Sequence, residues 1–230
     1  MVFNTLIIST TGFFALISFL ITIWNWKYLD KPRLRLSDEL FGDINVSITV
    51  LIPARNEGKN IRETLTALNH QTYTNYDVIV LNDGSEDDTA EVVSEFLESD
   101  LEIQFIDGES IPQGWLGKHW ACHQLALKAN SDYLLFIDAD TVLHKNTIKA
   151  AVNEAIVGKS DLLTMIPARC ANNFIEKNLY SFIDWAIYAW LPLQLAHWSK
   201  NSYLSASYGQ FMLFKRESYM LSGGHKKIKD

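Results

Sequence analysis

Hydrophobic positions follow three different rhythms along this chain. Met1 to Trp26 carries no charged side chain, and Thr5 to Ile23 is mainly apolar, close to the roughly 20 residues that cross ~30 Å of hydrocarbon. From Ser47 onward, short runs rich in β-branched and aromatic residues alternate with stretches of helical spacing. Ser47 to Ile52 (SITVLI), Tyr76 to Leu81 (YDVIVL), Glu102 to Ile106, Tyr133 to Ile137 (YLLFI) and Asp161 to Ile166 read as strands. Lys59 to His70, with Ile61, Leu65 and Leu68 on one face, and Asp87 to Glu98 read as helices. Strands alternating with helices predict an α/β, Rossmann-like architecture, a mostly parallel sheet flanked by helices. The third rhythm is residues 173 to 200, dense in Trp, Tyr, Phe and Leu, without charge from Trp185 to Leu193 and with Pro192 placed to end or kink a helix. Such a segment suits a membrane interface, where aromatic rings are wet on one edge and dry on the other; a helix buried under the sheet is the competing reading.

The first run predicts a transmembrane anchor over residues 1 to 26. Trp24, Trp26 and Tyr28 stand where an aromatic belt belongs, and Lys27, Lys31, Arg33 and Arg35 follow with no Lys or Arg before them. That bias puts the rest of the chain on the cytoplasmic side of the cell membrane. A cleaved signal peptide is disfavoured by the missing basic start, the length of the apolar run and the lack of a small-x-small site. Residues 27 to 46, with Pro32 and mixed charges, read as a linker to a globular part spanning 47 to 230.

Composition narrows the function. At 230 residues there is room for one sizeable core. The net charge of -7 argues against a nucleic-acid partner, which demands a basic face. Cys122 and Cys170 are the only cysteines, too few for a disulfide framework, and both fit the core of a chain in a reducing compartment.

The candidate chemistry is acidic and sits at strand ends. The apolar run Tyr133 to Ile137 stops at Asp138 and Asp140, and in open α/β sheets ligands collect at the carboxyl ends of strands. Two carboxylates facing one crevice repel each other, so they call for a hard divalent cation, a hydroxyl-rich ligand, or both. The alternative is a helix cap by Asp140 or Thr141 for a helix beginning near Lys145. Neither of the first two βα turns holds G-x-G-x-x-G, and there is no phosphate-binding G-x-x-x-x-G-K-[ST]. The turns offer Glu57 and Asp83 instead, acceptors that suit a base edge and a ribose, leaving the phosphates to a cation at Asp138 and Asp140. Simpler roles stand beside these: Glu57 as a first-turn helix charge, Asp83 as a turn former before Gly84. His119 and His123 share a helix face, but no third ligand at a recognisable spacing makes them a zinc site.

PARNE at 53 to 57, LNDGSEDDT at 81 to 89 and FIDADT at 136 to 141 resemble family 2 glycosyltransferases, which have the GT-A fold and transfer sugar from a nucleotide diphosphate donor. Gly114-Trp115-Leu116-Gly117-Lys118, Gly209 to Phe214 and Gly223-Gly224-His225 resemble the hopanoid-associated and carotenoid (diaponeurosporenoate-type) branch. The resemblance implies a UDP-sugar donor, a lipid acceptor at the membrane, and Mg²⁺ or Mn²⁺. Carried over by position, Pro53, Ala54 and Glu57 line the nucleoside pocket, Arg55 is a further contact, and Asp83 accepts from the uracil ring. Asp138 contacts ribose or metal, and Asp140 binds the metal bridging the diphosphate and is the catalytic candidate. Lys118, otherwise an ordinary surface lysine, brings a cation near the diphosphate or sugar; Gln210 is a substrate-binding candidate, and His225 falls near the acceptor side. The family's general base lies several residues beyond the turn that Gly223 and Gly224 match; Asp230 stands at too short a spacing. The expectation is therefore a fragment whose base lies beyond Asp230, binding donor but transferring little sugar. A polyprenyl-phosphate or polysaccharide-directed transferase, and a non-catalytic membrane-tethered nucleotide-binding subunit, are the alternatives.

Overall fold

The computed structural model describes residues 2–29, 45–99, 101–165, 168, 173–199, 201–204 and 207–228. Most of the expected linker, Asp230 and Cys170 lie outside them. The chain divides into two compact units, one of helices and one built on a sheet.

The sheet unit has six strands: β1 (Ile48–Ala54), β2 (Tyr76–Asn82), β3 (Ile103–Asp107), β4 (Tyr133–Ile137), β5 (Leu162–Thr164) and β6 (Phe211–Lys215), in the order β3-β2-β1-β4-β6-β5. β3, β2, β1 and β4 pair in parallel. β6 runs antiparallel to both neighbours, Ile137 facing Phe211 and Thr164 facing Met212. All five residues of β4 are buried, as the unbroken apolar run requires of a central parallel strand. The mostly parallel, helix-covered sheet expected from the rhythm of the sequence is what forms.

Alternation along the strands feeds two cores, one on each face. Ile48, Val50 and Ile52 of β1 meet α2 (Ile61–Asn69), α3 (Thr89–Ser94) and α5 (Thr147–Val157) through Leu65, Val93 and Val152. Leu51, Leu134 and Phe136 point the other way, onto Ala121, Cys122 and Leu125 of α4 (Gly117–Lys128) and Tyr219 of α8 (Arg216–Ser222). Each fully buried Leu, Ile or Phe contributes roughly 1.5–3 kcal/mol of transfer free energy, so the two layers hold the sheet from both sides. α3 is shorter than the helical spacing predicts: the Asp87 carboxylate accepts from the backbone N–H groups of Thr89 and Gly58, so the residue is drawn into the loop that precedes the helix.

The helical unit holds α1 (Val2–Leu29), α6 (Phe174–Trp190) and α7 (Leu193–Trp198). Within α1, Asn4–Lys27 is long and apolar enough to cross a membrane. Nothing between Trp26 and Leu29 breaks a helix, and α1 runs on past the expected boundary. α6 starts with a reciprocal cap, in which Asn173 accepts from the N–H of Glu176 at 2.8 Å and donates to its carboxylate at 2.8 Å. It ends just before Pro192, which opens α7 as its N-cap.

Candidate active site

The chain path creates the cleft. It runs from β1 outward through β2 and β3, then returns to lay β4 on the other side of β1. Between β1 and β4 the connections diverge, opening the crevice in which open α/β sheets bind ligands. Register brings Ala54 level with Asn82, so the turns after β1, β2 and β4 emerge at one edge. There Pro53, Ala54, Arg55, Glu57, Asp83, Lys118, Asp138 and Asp140, with the small residues Gly117, Ala121 and Ala139, line a cavity of about 270 Å³. Gln210 stands in the turn before β6 and is not among the lining residues.

The first two turns are laced together by residues that sequence reasoning passed over. Asn56, in the left-handed conformation at φ 56°, donates its N–H to the Ser85 hydroxyl and accepts from the N–H of Glu86 on its side-chain oxygen. Glu57 donates its N–H to Thr89 at 2.9 Å, and the Asp83 N–H is held by the Ala54 carbonyl at 2.8 Å. Asn82 donates to Asp107 and accepts from Ser85. Asn, Asp, Ser and Thr hold such turns because their short side chains bond nearby backbone. The only signal in the sequence was their density in NDGSEDDT.

The β4 turn is fixed from beneath. The Thr64 hydroxyl donates to the Ala139 carbonyl at 2.8 Å in the buried layer, and the Thr141 N–H closes onto Asp138 at 3.0 Å. α5 begins at Thr147 behind Asn146, so neither Asp140 nor Thr141 caps it. Lys118, in the first turn of α4, donates to Asp138 Oδ1 at 2.6 Å. Burial raises the Asp83 carboxyl above the usual aspartate range, and the Arg55 charge opposes the rise. The donor set fits a hard cation: Asp138 and Asp140 line one cavity, and among the described residues no cluster of three His, Cys, Asp or Glu groups forms a cage. Mg²⁺ and Mn²⁺ are commonly held by one or two carboxylates and completed by substrate phosphates and water. At Asp138 such an ion would meet Lys118 first, already on Oδ1.

Behind α4 lies an aromatic and imidazole cluster. Trp115 stacks on His123 and meets Trp120 edge-on, each with ring centres 5.0 Å apart. Gly223 ends α8 at φ 85°. The following turn, Gly224–Ile228, buries His225, whose Nδ1 shares a hydrogen bond with the Tyr219 hydroxyl at 2.7 Å while its backbone N–H donates to that oxygen at 3.2 Å. Burial pushes the imidazole down to about 4, helped by His119, His123 and Lys118. His225 is thus a neutral, buried packing residue against α4.

The Glycosyl transferase family 2 profile matches residues 49–220. This chain belongs to glycosyltransferase family 2. The chain is 31% identical over 188 residues to the 4,4'-diaponeurosporenoate glycosyltransferase of Staphylococcus aureus strain bovine RF122 / ET3-1, covering 78% of this chain and 47% of that one. The figures are the same for the S. aureus USA300 protein of that name, so the chain spans about half the length of the curated relatives it matches. Its fold is similar to that of the mannosyltransferase PcManGT from Pyrobaculum calidifontis, solved with GDP-Man and Mn²⁺, at 19% identity and a TM-score of 0.66 over 94% of this chain and 57% of that one. The chain therefore has a GT-A-like fold.

Proposed function

We propose that this family 2 glycosyltransferase takes a sugar from a nucleotide diphosphate donor, a UDP-sugar, and transfers it with inversion to a lipid acceptor such as a carotenoid or hopanoid at the cytoplasmic face of the cell membrane. The supporting observation is that residues from three separate turns, Arg55 and Glu57, Asp83, and Asp138 with Asp140, meet in one cleft at the switch point of the sheet. The lipid acceptor is supported by the carotenoid glycosyltransferases among the relatives and by α1, which in this reading spans the bilayer.

Glu57 and Asp83 accept hydrogen bonds from the nucleoside, Asp83 from the base. Asp138 and Asp140 would hold a divalent cation, which when bound would stabilise the charge that develops on the departing diphosphate. Lys118 presents a second positive charge beside it. The acceptor oxygen forms a bond to the anomeric carbon from the face opposite the diphosphate, whose C–O bond breaks with the electron pair leaving on the nucleotide. A hydroxyl acceptor gives its proton to a base, a role that none of the residues lining the cleft is assigned.

Calorimetric titration of the full chain in detergent with UDP, GDP and an unrelated nucleotide, with and without Mn²⁺, tests the donor site. The expected result is Mn²⁺-dependent, UDP-selective binding that Asp140→Ala abolishes. Metal-independent binding, or binding unaltered in Asp140→Ala, would overturn the assignment of Asp140.

A further inference from the structure

In the helical unit, Asn25 is the one polar residue within the Trp24 to Trp26 end of α1, and its side chain is 1% exposed. Its position answers a specific deficit. Pro192 has no N–H, so the Tyr188 carbonyl four residues earlier loses its helical donor; the break also orphans the Leu191 carbonyl and the Leu193 N–H at the start of α7. Asn25 Nδ2 donates to the carbonyls of Tyr188 and Leu191, each at 2.7 Å, and its Oδ1 accepts from the Leu193 N–H at 2.9 Å. One amide thus satisfies three backbone groups at a single helix break. Beside it, Trp24 Nε1 donates to Gln194 at 2.6 Å.

At a water-facing break solvent would meet these groups at no cost, whereas in hydrocarbon each unsatisfied one costs several kcal/mol, and broken helices persist there only when protein groups take over. The surroundings fit the second case. Trp185, Trp190 and Trp198 are half or more exposed, and from Trp185 to Trp198 the sequence has no Asp, Glu, Lys or Arg. The Trp190 ring lies 6.5 Å from that of Phe14, which stands eleven residues before Asn25 and so roughly 16 Å further along α1 toward its apolar middle. Glu176, Lys177 and Asp184 confine charge to the earlier part of α6.

We propose that Trp185–Trp198 enters the lipid bilayer beside α1, and that Asn25 is the positioning residue that makes the Pro192 break tolerable at that depth. The inference rests on α1 spanning a membrane. It gives the chain a second, re-entrant membrane element.

The test uses the full chain with Cys122→Ala and Cys170→Ala, reconstituted in phosphatidylcholine/phosphatidylglycerol vesicles, with one cysteine at a time introduced by Trp190→Cys or Tyr203→Cys and probed with a water-soluble maleimide. Tyr203 belongs to the same unit and is 93% exposed. Trp190→Cys is expected to label at least about tenfold more slowly than Tyr203→Cys, and adding Asn25→Leu, which keeps α1 apolar, is expected to remove most of that protection because thiolate reaction needs water access. Equal labelling at the two sites in carbonate-resistant vesicles overturns bilayer entry while leaving the α1 anchor intact; release by carbonate overturns the anchor and the inference with it. Protection that vanishes when protein is diluted into excess lipid assigns the surface to a second copy and overturns the lipid reading. Protection unchanged by Asn25→Leu overturns the role of Asn25.

Discussion

Replacing Gly224 by Ala should destabilise the fold from a position outside the cleft. Gly224 adopts φ +48°, and a Cβ there would stand 2.4 Å from the Tyr219 ring. That ring cannot swing aside freely, because it is buried among Phe136, Phe214 and His225 and its hydroxyl is bonded to His225. The left-handed conformation costs a residue bearing a Cβ roughly 1–2 kcal/mol, and forcing extra volume into a packed core adds typically 1–3 kcal/mol. For a chain of this length each kcal/mol lowers Tm by about 2–4 °C, so scanning calorimetry should register a fall near 10 °C. Gly114→Ala is the matched control: its φ is +81°, yet its Cβ would meet nothing within 4 Å, so it carries only the conformational share. The difference between the two variants isolates the clash with Tyr219. If both lose the same few degrees, the ring yields, and the packing of His225 beneath α4 is looser than these contacts indicate.

Acidification should weaken the fold through His225. Its folded imidazole titrates near 4 against about 6.5 unfolded, so the unfolded chain binds the extra proton between those values and stability falls as pH drops from 6.5 toward 4, by about 2 kcal/mol on reaching pH 5; His225→Phe should flatten that limb in urea titrations, and an unchanged limb would point to another group. Cys122, whose thiol burial pushes up to about 12, should resist iodoacetamide at pH 8 in the native protein and react on unfolding; modification at the rate of a free thiol would place it in reach of solvent. Lys118→Met should lower nucleotide diphosphate affinity by about tenfold or more with little change in Tm, because the Lys118 side chain is 56% exposed and ion pairs with an exposed partner contribute about 0–1 kcal/mol to stability; unaltered affinity by calorimetry would return Lys118 to the solvent-facing role.

The parts legible in the sequence were those where one physical demand dominates. A fully buried parallel strand leaves no room for polar residues, and Tyr133 to Ile137 forms β4 with the predicted ends. The acids at strand ends were legible for the same reason, since Asp83, Asp138 and Asp140 had no place in the strands they follow. Asn56 and Ser85 were not, because a bond between two turns 29 residues apart has no periodicity. Pro192 announced a break, but its partner Asn25 lies 163 residues or more from the backbone groups it serves, and a lone amide at the end of an apolar run carries no hint of what it meets. β6 escaped for a further reason: a strand returning against the direction of the others is set by chain path and not by local composition.

That returning strand sets a timetable for biosynthesis. β4 has β1 on one side and only β6 on the other, and β5 pairs with β6 alone, so both wait for Phe211 to be made roughly 70 residues after β4 ends. At about 5–20 residues per second the open edge of β4 persists for on the order of 4–15 s on each nascent chain. An apolar strand with unpaired N–H and C=O groups is a template for misassociation. Shielding of that edge during synthesis thus follows from the topology itself, and slowed translation between β5 and β6 should lower the yield of folded sheet unit more than the same delay placed before β4.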